Sequence, residues 1–307
     1  MNATFSGEGR GKLILFGEHS VVYGRLAVAC GIPGGARASL FLKPSATWRV
    51  THPGGSFDAD DDVLRAGRLL LRHFDLRPED LAIDVDLTIP VGAGLGSSAA
   101  MAVAIARAAC DLREIPADQR DPLVTSAVND SEGVLHGKAS GIDQQAACHG
   151  GFFQFQRPAI TTPVEAPPRR WLIARVAPSA STARMVGAVA DLHESYPQVT
   201  TQIFDTIDLV ARRGAAALRV GDYREVGALM NFNQGLLGSL GVSTPDLEDA
   251  CYLAREAGAL GAKITGAGGG GCILVLPPPG PPEECFVLHA LEETGDVYEV
   301  TLPVESP

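Results

Sequence analysis

Residues 90–101 read Pro-Val-Gly-Ala-Gly-Leu-Gly-Ser-Ser-Ala-Ala-Met, a glycine-rich turn that leads directly into an alanine-rich segment. The alanines predict a helix that begins near Ser97 or Ser98. Free backbone N–H groups at a helix start attract anions together with the helix dipole, and glycines let the chain approach a ligand closely. The stretch therefore predicts a phosphate site. The alternative is a structural glycine turn with a serine N-cap.

The composition describes an ordinary globular protein with room for two domains. The 307 residues are 46% hydrophobic and 20% charged, and a chain of this length can bury two sizeable cores. The formal net charge is −11 without any long run of Lys or Arg, which argues against nucleic acid or an anionic membrane as the main partner. A phosphate site must then be built locally from backbone N–H groups, a few cations and a metal ion.

The cysteines and the apolar runs indicate a reducing, aqueous compartment. No two cysteines form a Cys-x-x-Cys pair, so we predict buried reduced thiols. The N-terminus lacks a basic segment followed by an apolar core, and no apolar run approaches the roughly 20 residues of a membrane span. We therefore expect a cytoplasmic protein with no membrane partner.

The periodicity of apolar residues predicts an α+β protein. Strands are predicted at 12–16, 38–42, 47–51, 81–89, 171–176, 272–276 and 297–302. Helices are predicted at 98–112, 182–195, 199–220, 223–240 and 246–257. The Pro- and Arg-rich stretch 157–170 has little periodicity and is the best linker candidate. We accordingly predict two domains, 1–166 and 167–307.

A second glycine cluster, at 266–271, formally fits the pattern Gly-x-Gly-x-x-Gly. It precedes an apolar strand rather than a helix, which excludes a Rossmann dinucleotide site. The cluster is either a tight turn or a second backbone wall around phosphates. A Walker A loop ending at Gly11-Lys12 is also excluded, because Ser6 occupies the first glycine position and Leu13 follows the lysine.

Two acidic side chains suit a metal ligand and a general base. Glu132 lies on a predicted helix and Asp143 follows a Gly-rich turn; the structural alternatives are a solvated helix face and an N-cap. Taken alone, Lys12 is typical of a surface lysine and His19 of a structural histidine. A Ser/His/Asp hydrolase is not indicated, because the sequence contains no Gly-x-Ser-x-Gly elbow.

Three segments together resemble the GHMP kinases, the small-molecule kinases named for galactose, homoserine, mevalonate and phosphomevalonate. They are Gly11-Lys-Leu-Ile-Leu-Phe-Gly-Glu-His-Ser-Val-Val-Tyr-Gly24, the stretch 90–100, and Lys263-Ile-Thr-Gly-Ala-Gly-Gly-Gly-Gly-Cys272, in matching order and spacing. The first segment is similar to the members that act on mevalonate, because galactokinases carry Asp-Tyr-Asn after the same Gly-Glu-His. The resemblance implies an N-terminal nucleotide-binding domain that is ribosomal-protein-S5-like and a C-terminal ferredoxin-like domain with added helices.

Carried over residue by residue, the resemblance implies direct, Mg²⁺-assisted phosphoryl transfer from ATP to mevalonate. Asp143 would be the catalytic base with Lys12 beside it, and Ser98 and Glu132 would hold Mg²⁺. The residues implied to bind the ATP phosphates are Gly92, Ala93, Gly94, Leu95, Gly96, Ser97, Ser98, Gly268 and Gly269, and those implied to face the substrate are Glu18, His19 and Thr182. A homodimer is a family expectation.

The sequence also departs from the family pattern. Gly9-Arg10-Gly11 replaces Ala-Pro-Gly before Lys12, Ala139 replaces a common proline, and Ala180 stands where the mevalonate-acting members often have an arginine. Arg184 and Lys138 are the candidates for the missing charge. A kinase for phosphomevalonate or a sugar is therefore an alternative, as is a non-catalytic ATP- or metabolite-binding relative. The retained Lys12, Ser98, Glu132 and Asp143 favour an enzyme.

Overall fold

The computed structural model describes residues 4–43, 47–136, 141–156, 160–281, 285–293 and 295–303. The chain forms two compact units that alternate along the sequence. The first unit comprises Met1–Lys12, Pro33–Val91 and Gly96–Gly150, and the second unit comprises Leu13–Ile32, Gly92–Leu95 and Gly151–Pro307. The predicted α+β class is confirmed. The predicted domain division after residue 166 stays a prediction.

The first unit combines a sheet with four helices. Its elements are β1 (Thr4–Phe16) and β2 (Ala27–Leu42), which both continue into the second unit, then β3 (Trp48–His52), β4 (Gly55–Asp58), α1 (Asp61–Arg72), β5 (Leu81–Leu87), α2 (Ser97–Leu112), α3 (Ala117–His136) and α4 (Ile142–Cys148). Strand β5 pairs antiparallel with β2 and parallel with β3.

Helix α2 lies at the centre of the core of the first unit. Seven of its 16 residues are alanines, and all seven are buried. Because alanine is small and has the highest helix propensity, the helix forms readily and lets its neighbours approach closely. Helices α1, α3 and α4 each pack against α2, and α3 also packs against α1 and α4. This packing fixes the start of α2, directly after the glycine-rich turn.

The second unit contains the remaining elements. They are β6 (Gly151–Gln156), β7 (Ile160–Val164), β8 (Arg169–Ala177), α5 (Thr182–Ser195), α6 (Pro197–Arg219), α7 (Tyr223–Ser239), α8 (Pro245–Glu256), β9 (Gly261–Ile264), β10 (Gly271–Leu276), α9 (Phe286–Glu292) and β11 (Val297–Leu302). The last four strands form an antiparallel sheet in the order β11-β8-β10-β9. This order is the split βαβ arrangement of ferredoxin-like folds, with α5–α8 in the first crossover. The implied C-terminal topology is therefore confirmed.

Several expectations from the sequence were wrong. Strand β1 begins at Thr4 rather than Lys12, and β2 begins at Ala27 rather than Ala38. Glycines interrupt both strand starts, at Gly7, Gly9 and Gly11 in β1 and at Gly31, Gly34 and Gly35 in β2, so neither start carries an alternating apolar pattern. The predicted linker contains strand β7, which pairs with β6. Its Pro163 is tolerated because β7 ends the strand order of its sheet and is an edge strand.

The structure also shows the state of the cysteines and the character of the helices. All six cysteines, Cys30, Cys110, Cys148, Cys251, Cys272 and Cys285, are buried free thiols, as predicted. Within the described part of the chain, no helix has the length and apolar character needed to cross a membrane.

Candidate active site

The glycine-rich turn at Gly92–Gly96, which we call the phosphate loop, leads directly into α2. Gly92, Gly94 and Gly96 have φ values of 69°, 80° and 74°, a left-handed conformation that glycine adopts without strain. Helix α2 begins at Ser97, with Gly96 as N-cap and no side-chain cap. The serine N-cap alternative is therefore wrong. The first N–H groups of α2 remain available for an anion.

Four predicted site residues lie together in the first unit, and we call them the acid cluster: Lys12 on β1, Ser98 on α2, Glu132 on α3 and Asp143 on α4. Ser98 Oγ lies 3.3 Å from Glu132 Oε2, and Lys12 Nζ lies 2.9 Å from Asp143 Oδ1. The side chain of Lys12 is 8% exposed, whereas that of Asp143 is 36% exposed. Asp143 is thus held by a buried cation and remains accessible to a ligand.

The electrostatics of the acid cluster favour a bound cation. Burial and then the charge of Asp143 raise the pKa of Glu132 to about 7, against the opposing effects of Ser98 and Lys12. A divalent cation would relieve this repulsion between the carboxylates.

The oxygen donors of the acid cluster fit Mg²⁺. This ion prefers oxygen ligands and is usually bound by one or two carboxylates together with phosphates and water. Among the described residues, no group of three or more His, Cys, Asp or Glu side chains could hold a metal by itself. Ser98 and Glu132 therefore suit an ion that also takes ligands from a nucleotide.

The second glycine cluster, residues 266–271, lies against the phosphate loop within the second unit. A Cβ added to Gly266 would lie 3.2 Å from Gly94 O, and one added to Gly271 would lie 3.2 Å from Ala93 O. Gly268 and Gly269 pack instead against Val242 and Met185, where an added Cβ would come within 2.2 and 2.5 Å of their atoms. Contact of Gly268 and Gly269 with ATP stays a prediction.

Glu18 and His19 form the turn after β1, within the second unit, and are only 1% and 6% exposed. Lys263 Nζ donates to Glu18 Oε1, and Asn233 Nδ2 donates to Glu18 Oε2 at 3.0 Å. Both oxygens of Glu18 are therefore bound by protein side chains.

The ring of His19 is held in one tautomer. Nε2 lies 2.9 Å from the carbonyl oxygen of Ala267, and because a carbonyl only accepts, Nε2 must carry the proton. Burial lowers the pKa of His19, which favours the neutral ring. The remaining nitrogen, Nδ1, is then a hydrogen-bond acceptor suited to a ligand hydroxyl.

The other predicted substrate residue, Thr182, is exposed at the first position of α5. Ser181 caps this helix by accepting from Arg184 N at 3.3 Å, and the Arg184 side chain is exposed in the first turn. Ala180 N donates to Gly269 O at 3.1 Å. Lys138 and Ala139 lie outside the described residues.

Comparison with known proteins identifies the family. Residues 62–151 match the GHMP kinases N-terminal domain, and residues 215–294 match the GHMP kinases C-terminal domain. A mevalonate kinase of Methanothermobacter thermautotrophicus is 36% identical over 271 residues, covering 84% of this chain and 85% of that protein. The chain belongs to the GHMP kinase family.

The similarity to two other members of the GHMP kinase family covers a larger share of this chain. A mevalonate kinase of Archaeoglobus fulgidus is 37% identical over 289 residues, covering 92% of this chain and 96% of that protein. The crystal structure of the L. major mevalonate kinase in complex with R-mevalonate is similar with a TM-score of 0.83 at 26% identity, covering 99% of this chain and 97% of that one. The predicted resemblance to the mevalonate-acting members of the GHMP kinases is confirmed.

Proposed function

We propose that this GHMP kinase phosphorylates mevalonate with ATP, a step of isoprenoid biosynthesis. The observation that carries the proposal is the acid cluster, because it supplies a base, a cation and two oxygen ligands for a metal but no nucleophilic thiol. Phosphoryl transfer depends on positioning and charge neutralisation more than on covalent chemistry. The names of the relatives at 36% and 37% identity support mevalonate as the acceptor. A homodimer and a cytoplasmic location stay predictions.

The nucleotide phosphates bind at the phosphate loop and the first turn of α2. The N–H groups at this helix start donate to phosphate oxygens, and the three glycines, whose φ values are positive, leave no side chain at positions 92, 94 and 96 of the loop. Ser98 and Glu132 would hold Mg²⁺, which when bound neutralises charge on the phosphates. The second glycine cluster supports the loop from the side of Ala93 and Gly94.

Asp143 takes the proton of the primary alcohol, at a carboxylate oxygen, as that alcohol attacks the γ-phosphorus. The phosphoryl group passes directly to the C5 oxygen of mevalonate, and ADP leaves. Lys12, 2.9 Å from Asp143, holds the base in place and offsets the negative charge that gathers during transfer.

The acceptor carries two further groups that the second unit can recognise. His19 Nδ1 accepts a hydrogen bond from a hydroxyl of mevalonate. The first turn of α5, with Thr182 and the exposed Arg184, receives its carboxylate, because a helix start and a cation both favour an anion. Arg184 then supplies the positive charge that the mevalonate-acting members often carry as an arginine at the position of Ala180.

An acceptor panel tests the proposed function. ATP consumption is measured with mevalonate, phosphomevalonate, galactose, homoserine and no acceptor, each with Mg²⁺. We expect ADP formation that depends on mevalonate alone. Turnover of another alcohol would overturn the substrate assignment, whereas MgATP binding without turnover of any acceptor would favour the non-catalytic alternative.

The close approach of Gly96 to Lys12 gives a prediction with a matched control. A Cβ at Gly96 would lie 2.7 Å from Lys12 Cγ, whereas a Cβ at Gly92 would have no atom within 4 Å. Both residues have similar positive φ values, 74° and 69°, so alanine strains the backbone equally at either position. Gly96→Ala should also displace Lys12 and reduce kcat about tenfold more than Gly92→Ala. Equal losses of kcat in the two variants would contradict this role for Lys12.

A further inference from the structure

A buried ion pair in the second unit lies outside the chemistry described above. Lys263 on β9 is 0% exposed and donates to Glu18, which is 1% exposed, and to the carbonyl oxygen of Ile264. Asn233 on α7 donates to the other Glu18 oxygen and is itself 0% exposed. We call Glu18, Asn233 and Lys263 the buried triad. None of the three is accessible to a substrate.

Stability alone does not account for the buried triad. Burial lowers the pKa of Lys263, and this effect is opposed first by the charge of Glu18, then by the hydrogen bond to Glu18 and by Cys251. Buried ion pairs seldom stabilise a fold more than apolar side chains of similar volume. Because a carboxylate only accepts, Asn233 must turn its NH₂ group toward Glu18, and its Oδ1 is left buried with no partner among the described residues. An unsatisfied buried acceptor is destabilising.

The buried triad lies next to the backbone turn at His19, which has a strained conformation. His19, directly after Glu18, has φ 61° and ψ −48°, a conformation that is strained for any residue other than glycine. Every second residue of the segment 263–267 forms a hydrogen bond to the end of β1 or to the turn that follows it. Lys263 binds Glu18, Thr265 Oγ1 bonds to both N and O of Ile14 at 3.1 Å, and Ala267 O accepts from His19.

We propose that Lys263 and Asn233 are positioning residues that act through Glu18 to hold the strained His19 turn, and with it the Nδ1 acceptor for the alcohol substrate. The proposal rests on the proposed function. It also changes the role of Glu18, which holds the His19 turn in place instead of contacting the substrate itself. Strained residues persist only where the surrounding contacts over-determine them. A shift of His19 by a fraction of its ring width is enough to weaken a hydrogen bond to the acceptor.

The decisive variant is the double substitution Glu18→Gln with Lys263→Met. Either single substitution leaves an unpaired buried charge and should lower Tm strongly, whereas the double variant removes both charges and should regain most of the Tm. We expect kcat/KM for mevalonate to stay about tenfold or more below the wild-type value in the double variant. KM for ATP should change less than about twofold, because the phosphate loop is not touched.

A control variant distinguishes the loss of His19 positioning from a general loss of stability around β9. Gln234 on α7 accepts from Ile264 N at 2.8 Å and donates to Glu248 at 2.9 Å, so its hydrogen bonds within the described part of the chain go to groups other than Glu18. Gln234→Leu should therefore lower Tm without lowering kcat/KM for mevalonate. The same loss of kcat/KM for mevalonate in Gln234→Leu as in the double variant, or wild-type kcat/KM in a stable double variant, would overturn the proposal.

A spectroscopic measurement covers the case in which the double variant does not fold. Asn233→Ala removes only one donor to Glu18 and leaves the ion pair intact. The ring ¹⁵N signals of His19, assigned with His19→Gln, should show protonated Nε2 in the wild type and a loss of that fixed tautomer in Asn233→Ala. An unchanged His19 signal would contradict the positioning role. Because this readout needs no acceptor, it separates failure of the positioning proposal from failure of the proposed function.

Discussion

Asp143→Asn is expected to lower kcat for mevalonate phosphorylation by about a hundred- to ten-thousandfold, the usual contribution of a general base. Asparagine keeps the shape of the side chain but cannot take the proton of the alcohol. Lys12→Met should have a similar effect, because it removes the ammonium 2.9 Å from Asp143. The double variant should lose less than the product of the single losses, since the two residues act as a unit.

Two controls make this result specific. The rise in Tm on adding MgATP should be retained in Asp143→Asn, because the phosphate loop is unchanged. Asp111 forms a partly exposed ion pair with Arg120 at 2.6 Å in the same unit, so Asp111→Asn should leave kcat unchanged. Near-normal phosphorylation of mevalonate by Asp143→Asn would remove Asp143 as the base.

Glu132→Gln is expected to raise the Mg²⁺ concentration needed for half-maximal activity by about tenfold or more, since it removes a charged oxygen ligand. The wild type should also show a pH effect from the same residue. The pKa of Glu132 is raised to about 7, so protons compete with Mg²⁺ below that pH. At limiting Mg²⁺ the rate should fall as the pH drops through about 7, and saturating Mg²⁺ should shift this midpoint to lower pH.

The matched control for Glu132 lies on the same helix. Asp130 is exposed on α3 and pairs with His73 at 2.8 Å. Asp130→Asn removes a carboxylate outside the acid cluster and should leave the Mg²⁺ dependence and its pH profile unchanged. If Glu132→Gln retains the wild-type Mg²⁺ titration at both high and low pH, Glu132 does not hold the metal.

Much of the fold was predictable because it depends on local sequence, whereas the acid cluster was predictable from the family resemblance. The alanine run after Gly96 predicts α2, and the apolar periodicity of the C-terminal half predicts α5 to α8 almost to their ends. The family resemblance implied that Lys12 and Asp143 are neighbours in the fold, although 131 positions separate them in the sequence. Local pattern was sufficient for these helices, and the family resemblance for the acid cluster.

The remainder depends on contacts between distant segments. Lys263 reads as one polar residue on an apolar strand, and its partner Glu18 lies 245 positions away. Asn233 is one of several polar residues on α7, and only the packing of that helix shows that it is fully buried. The family resemblance of the segment 11–24 implied that Glu18 faces the substrate, and only the structure shows that Asn233 and Lys263 bind both of its oxygens. The tautomer of His19 likewise follows only from the position of the Ala267 carbonyl.

The most direct test of the central claim is to identify the product by ³¹P NMR after incubation of the wild-type protein with MgATP and mevalonate. We predict ADP together with an equal amount of a phosphomonoester whose signal is split by the CH₂ protons of C5, and about a hundredth or less of either product in the same time with Asp143→Asn. Inorganic phosphate in place of the phosphomonoester, or an unsplit phosphomonoester signal from the tertiary hydroxyl, would contradict direct transfer to the primary alcohol.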